Sequence, residues 1–333
     1  MIELNGNSLL VRVPEVHKDA SCTIDFQRTL RIPDDNRSYP LPAGLGKFPM
    51  FHVDDFADKV PPSWNEHGGV FLPMYQSEAL WINFSGLNDY PFAIKVAAGK
   101  INAVSGEPWE DGLNANPQDY VVVPDQPWLD GFSISKGLIR QFVAMPLGEG
   151  YTAEGQITGK EEHGGIQLAI YPMKAEVYAK LQSIAHPLMD ALWCCDDAGE
   201  DVATAEMGLA PGGLMTQDIY EDEHGIDAWD TSAMSRCFVH IVNSRSFHSI
   251  TGCRPPTAPP TAEQYKSSGI PWFDYWNDEA TALGGSKTLA QLDSVAAMKI
   301  KKGRPVKEPV VSIDEGDVVH LRKNRSQVRD GSF

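Results

Sequence analysis

Between residues 68 and 172 the chain alternates short apolar runs with turn-forming residues. The runs lie at 70–72, 80–84, 92–97, 101–104, 120–123, 138–145 and 166–171. Gly, Pro, Asn and Asp separate them, as in Gly86-Leu87-Asn88-Asp89, Gly106-Glu107-Pro108, Gly148-Glu149-Gly150 and Gly164-Gly165. β-Branched and aromatic residues between such punctuation predict antiparallel strands. Ala97-Ala98-Gly99-Lys100-Ile101 predicts a tight hairpin, and Trp81 and Asn83 alternate with Ile82 and Phe84 as the two faces of one strand. Seven runs within roughly a hundred residues fit a β-sandwich or jelly roll.

The pattern changes after residue 172. Val177, Leu181, Ile184, Leu188 and Leu192 recur at helical spacing over 175–192, with Pro187 expected to kink or end the helix. Residues 236–242 alternate again and predict a strand. The stretch Cys253-Arg-Pro-Pro-Thr-Ala-Pro-Pro-Thr261 is polyproline-like, which excludes helix and central strand. A weak helical pattern follows at 288–299. The expected fold class is therefore mainly β, α+β overall, with an antiparallel sandwich or jelly-roll-like core. Four stretches organise it: 1–64 packed on the core, 65–172 the β-sandwich, 173–252 a smaller α+β portion, and 253–333 a proline-rich strap and basic tail.

Charge changes this picture in one place. The 333 residues carry a formal net charge of −17, which argues against general nucleic-acid binding, since phosphate affinity needs a dense basic face. Residues 299–333 nevertheless carry a net +4, against −21 for the remainder. A tail opposite in sign to its own body wraps that body or a neighbouring subunit, and points to self-association or a protein partner. No apolar run approaches the roughly 18 residues of a membrane span. The five cysteines (Cys22, Cys194, Cys195, Cys237, Cys253) are odd in number and form no disulfide framework. With an N-terminus that lacks a secretory pattern, they indicate a reducing, cytoplasmic setting.

Candidate chemistry is sparse. Cys194 or Cys195 with His240 or His248 is a candidate nucleophile–base pair, although burial explains free cysteines more simply. Glu66-His67-Gly68-Gly69 is echoed by Glu162-His163-Gly164-Gly165, and two such corners, if they meet, bring His67 and His163 to a divalent ion. The plainer reading is two solvated loop tips, with no metal and no cofactor. Gly148-Glu-Gly-Tyr-Thr-Ala153 matches a dinucleotide fingerprint only if a helix follows; the glycine-rich sequence after it reads instead as a hairpin loop.

Binding surfaces are better represented. Trp109 stands among Glu107, Glu110 and Asp111, and Trp128 stands near Asp125 and Asp130. A flat apolar ring beside hydrogen-bond acceptors suits a carbohydrate ligand. Trp272, Phe273, Tyr275 and Trp276 form the densest aromatic cluster, which must dock on its own domain or on a partner. The expected function is a non-enzymatic binding or assembly protein presenting loops and this cluster on a β scaffold. The alternative is a hydrolase or sugar-active enzyme using loop carboxylates or a Cys/His pair.

Pro255-Pro-Thr-Ala-Pro-Pro-Thr261 followed by Gly269-Ile-Pro-Trp-Phe-Asp-Tyr275, together with Leu72-Pro-Met-Tyr-Gln-Ser-Glu78 and Arg140-Gln-Phe-Val-Ala-Met145, resembles a family of uncharacterised bacterial and fungal proteins. The resemblance extends over most of the chain. It implies one integrated unit and carries no activity or site residues.

Overall fold

The strand Ala79–Leu87 shows how the sequence builds the sheet. Ile82 and Phe84 enter the core while Trp81 and Asn83 stay half-buried on the opposite face, the two-residue period of a pleated backbone. In the computed structural model, which describes residues 1–87, 89–182, 206–277 and 280–322, this strand pairs along its length with Ser21–Thr29, Ile24 opposite Phe84. Ser21–Thr29 pairs with Ser8–Arg12, which pairs with Ile2–Asn5. The other edge of Ala79–Leu87 meets Leu138–Pro146, and pairing continues through Glu206–Thr216, Ser235–Asn243, Ile166–Pro172, Phe92–Ala98 and Val121–Val123. Each step of that path is antiparallel. Val70–Met74 adds to Ser235–Asn243 in parallel.

The path turns back over itself. Leu9, Ile24 and Ile82 from one end share a single core cluster with Ile94, Val122 and Leu168 from the other. The mainly β, α+β expectation holds, and the layered core is one large hydrogen-bonded sheet folded over its own apolar face. Strands from the first 64 residues and from beyond residue 200 belong to this same sheet. The expected hairpin is present, with Ala98 opposite Ile101 and both Gly99 and Lys100 at positive φ. Buried Gln141, in the polar pair at the centre of Leu138–Pro146, donates to the Leu30 carbonyl and accepts from the Ile32 amide, serving a segment that has no ladder there.

Gly148–Ala153 departs from the hairpin reading. Thr152 caps a six-residue helix, Ala153–Thr158, and the flanking strands Leu138–Pro146 and Ile166–Pro172 pair with other neighbours. The amides that would receive a phosphate are already taken. Glu161 accepts from the Gly150 amide (2.8 Å), the Thr152 amide (3.3 Å) and the Thr152 hydroxyl (2.5 Å). The weak pattern at 288–299 resolves into two helices, Lys287–Ala290 and Val295–Lys301, because Ser294 caps the second. Of the helix expected over 175–192, Ala175–Gln182 is helical and the remainder lies outside the described residues.

The proline-rich strap docks on its own chain. Its backbone has no ladder, so side chains must satisfy its carbonyls. The Tyr75 hydroxyl donates to Pro256 O (2.7 Å), and the Arg28 guanidinium donates to the carbonyl and hydroxyl of buried Thr257. Trp272–Trp276 is the centre of a second, three-stranded sheet, between Leu41–Pro42 and Val318–Arg322. Trp272 is buried beside Tyr265, whose hydroxyl donates to Pro271 O and accepts from the Ala43 amide. The described part of the basic tail is also paired in cis: Arg304 with Glu149, Lys301 with Asp293, and Arg31 with Glu308.

Candidate functional site

The two Glu-His-Gly-Gly corners converge on one strand. Val70 and Ile166, the residues just after them, both oppose Val239, from the two edges of Ser235–Asn243. The approach is too close for any side chain. A Cβ on Gly69 would stand 2.1 Å from the Phe238 carbonyl oxygen, and one on Gly165 would stand 2.6 Å from the Val239 carbonyl oxygen. Both glycines also hold positive φ, 88° and 53°. The ring centroids of His67 and His163 are thereby brought to 6.3 Å.

Each corner is held by a different device. The short helix Pro62–His67 puts Trp64 and His67 three positions apart, on one face. His240 stacks between Trp64 (4.5 Å) and Phe238 (4.2 Å), and His67 stacks on Phe238 (4.9 Å). His240 is buried and its Nε2–H donates to the Gly68 carbonyl (3.1 Å). Burial pushes its pKa down to about 3, so this imidazole is neutral and committed to structure. The second corner closes on buried Glu154, whose carboxylate accepts from the amides of Glu162, His163 and Gly164, each at 2.9 Å. Burial, and then the nearby Lys100 cation, hold the His163 imidazole below its usual pKa. Lys100 is tied to the same corner: its amide donates to Gln167 Oε1 (2.6 Å), and Gln167 Nε2 donates to Gly164 O (2.9 Å). We expect Glu154→Ala to strand three amide donors and to lower stability by about 2 kcal/mol. Urea unfolding measures this, and an unchanged midpoint would show that water replaces the carboxylate without loss.

Below these corners opens a cleft of about 560 Å³, lined by Glu66, His67, Lys100, Trp109, Asp111, Gln167, Leu168, Arg236, Cys237 and Phe238. Trp109 is positioned by Lys95, whose buried ammonium lies 5.3 Å from the indole centre. Lys95 pairs with Asp119 (2.5 Å) and donates to the carbonyls of Glu110 and Gly112, fastening the Trp109 loop to the sheet. Trp109 Nε1 donates to Asp111 (3.4 Å), which also meets Arg236 (3.0 Å). Arg236 and Asp111 are exposed, and such a pair opens at little cost. The Cys237 thiol donates to Phe238 O (3.6 Å), and burial pushes its pKa up to about 12, so it is not a thiolate near neutral pH.

A larger cleft of about 900 Å³ lies between the loops at 104–120, 221–226 and 283–288. Its carboxylate Asp222 is fully engaged, accepting from the Tyr120 hydroxyl (2.6 Å), Trp229 Nε1 (2.8 Å) and the amides of His224 and Gly225. Glu107 and Glu221 line the cleft as exposed acids.

The structure thus brings together His67, His163, His240 and Trp109, and places Trp128 and the 272–276 cluster elsewhere. Trp128 packs against Trp81 and Tyr275 beside the smaller sheet. Trp272, Phe273, Tyr275 and Trp276 form the central strand of that sheet. Cys194 and Cys195 lie outside the described residues. Sequence reasoning passed over Glu154, Lys95, Lys100 and Arg236. Lys95 did leave a signal, as a lone cation inside the apolar run 92–97. Among the described residues no group of three or more His, Cys, Asp or Glu is arranged to hold a metal ion, and no helix is long and apolar enough to cross a membrane. The chain matches no family model, no curated protein and no solved structure.

Proposed function

We propose that this chain is a binding protein without a reaction of its own, and that the cleft beside Trp109 receives a saccharide. The observation that carries this reading is the set of groups lining the cleft. The indole offers a flat apolar face, Glu66 and Asp111 offer acceptors, and Lys100 and Arg236 offer donors. A sugar ring presents the complementary surface, an apolar C–H face rimmed by hydroxyls. Of the described imidazoles and thiols beside the cleft, His240 is held by the Gly68 carbonyl and Cys237 is kept protonated by burial. The neighbouring loops are fastened by buried ionic contacts, so little ordering entropy remains to be lost on binding.

The test is a glycan array followed by calorimetry on the leading hit. Trp109→Ala is expected to weaken binding at least tenfold, since stacked aromatic area dominates such sites, and Arg236→Ala to weaken it several-fold. Trp128→Ala, remote from the cleft, leaves affinity unchanged. An array without hits, or a hit that Trp109→Ala does not affect, would refute the reading.

A further inference from the structure

We propose that His67 and His163 form a two-imidazole clamp for a borderline divalent cation of the Zn²⁺ class, at the mouth of the cleft and independent of any saccharide. The motif that supplies them occurs twice, and the fold folds both copies against the same strand. A metal–nitrogen bond of about 2.0–2.1 Å places the centroids of two imidazoles on one tetrahedral ion roughly 5 Å apart. The observed 6.3 Å, with the rings inclined by 61°, is wider than this by roughly 1 Å, a gap that the exposed His67 side chain closes on the ion.

The corners that carry the two rings are fixed before any ion arrives. His67 lies flat on Phe238, with an angle of 11° between the planes. His163 sits on a corner whose backbone is pinned by three hydrogen bonds to Glu154. The third imidazole, His240, lies 6.4 Å from His67, but its Nε2 is committed to Gly68 O. The protein therefore offers two nitrogen donors, and water or a carboxylate completes the shell. Imidazole pairs of this kind take Zn²⁺, Ni²⁺, Co²⁺ and Cu²⁺ rather than Mg²⁺ or Ca²⁺, whose ligands are oxygens. Two imidazoles on anchored corners lose less freedom on binding than two on free loops, which favours measurable affinity from two ligands.

The experiment is calorimetric titration of the full chain with Zn²⁺, repeated with Co²⁺ under an absorption spectrometer. We expect one equivalent to bind, with a cobalt spectrum free of the near-ultraviolet charge-transfer band of thiolate ligation. His67→Ala and His163→Ala each lower the association constant at least tenfold, and His52→Ala, at an exposed histidine elsewhere, does not. Zn²⁺ also raises the melting temperature of the parent chain and not that of either variant. His67 is exposed, so its alanine variant folds and decides the matter even if His163→Ala does not. Absence of binding, sulfur charge transfer at one equivalent, or an affinity unmoved by His67→Ala would overturn the proposal.

Discussion

Replacing Arg28 with alanine lowers the free energy of unfolding by about 3–5 kcal/mol and releases the proline strap. The size of the effect follows from what Arg28 holds. Its Nε and Nη2 donate to one oxygen of Glu78 at 2.9 and 2.7 Å, and the same guanidinium reaches the carbonyl and hydroxyl of Thr257. Burial pushes the Glu78 carboxyl up and Arg28 pulls it back. Without the cation, Glu78 must either ionise alone in a dry site or take up a proton, and both are unfavourable. Glu78 also accepts from the Tyr75 amide (2.8 Å), and the Tyr75 hydroxyl holds Pro256 O, so the loss propagates to the second contact of the strap. Urea unfolding gives the magnitude, and limited proteolysis between 253 and 261 reports the release. Arg28→Met with Glu78→Leu should destabilise less than the sum of the single changes, because neither charge is then left alone. A loss below about 1 kcal/mol in Arg28→Ala, with the strap still protected, would mean that packing alone holds it.

This contact also explains why the last third of the chain was harder to read than the first half. Strands announce themselves through local alternation, and most of the runs between 70 and 171 became strands near their expected limits. The strap has no such period. Its partners, Arg28 and Tyr75, lie some 180–230 residues earlier in the chain. Trp272–Trp276 could be read as docking on its own domain or on a partner because Leu41 and Pro42, which pair with it on one side, sit in a proline-broken stretch with no strand signature. The basic tail could likewise be read as wrapping its own body or a neighbouring subunit; two of its described cations, Arg304 and Lys301, meet Glu149 and Asp293 of the same chain. At the site, the duplicated Glu-His-Gly-Gly was visible and its convergence was not, because adjacency across Ser235–Asn243 is a property of strand order. Glu154 could not be found from sequence. A single acid in a glycine-rich segment gives no sign that three amides will converge on it.

Asp130→Asn is expected to stabilise the protein at neutral pH, by about 2–4 kcal/mol. Its place beside Trp128 in sequence suggested a loop acid available to a ligand, but Asp130 is buried. Its Oδ2 accepts from Gln217 Nε2 (2.8 Å), its amide donates to Gln217 Oε1 (3.1 Å), and its carbonyl accepts from the Phe142 amide (3.0 Å). Burial pushes the carboxyl up to about 8, with the Gln217 bond opposing. The folded chain therefore keeps this proton up to about pH 8, whereas the unfolded chain releases it near 3.9. Between those values the folded state binds one proton more than the unfolded state, so this group makes stability fall as pH rises and level off above about 8. Asparagine keeps the acceptor for Gln217 and removes the titration. The gain over the parent should vanish near pH 4 and grow by up to about 1.4 kcal/mol per pH unit towards 8. Urea unfolding at pH 4, 5.5, 7 and 8.5 measures this slope. A gain independent of pH would show that burial does not hold the proton on Asp130. A loss at pH 7 would show more, that the ionised carboxylate is itself stabilising, and Asp130 would then become a candidate for function.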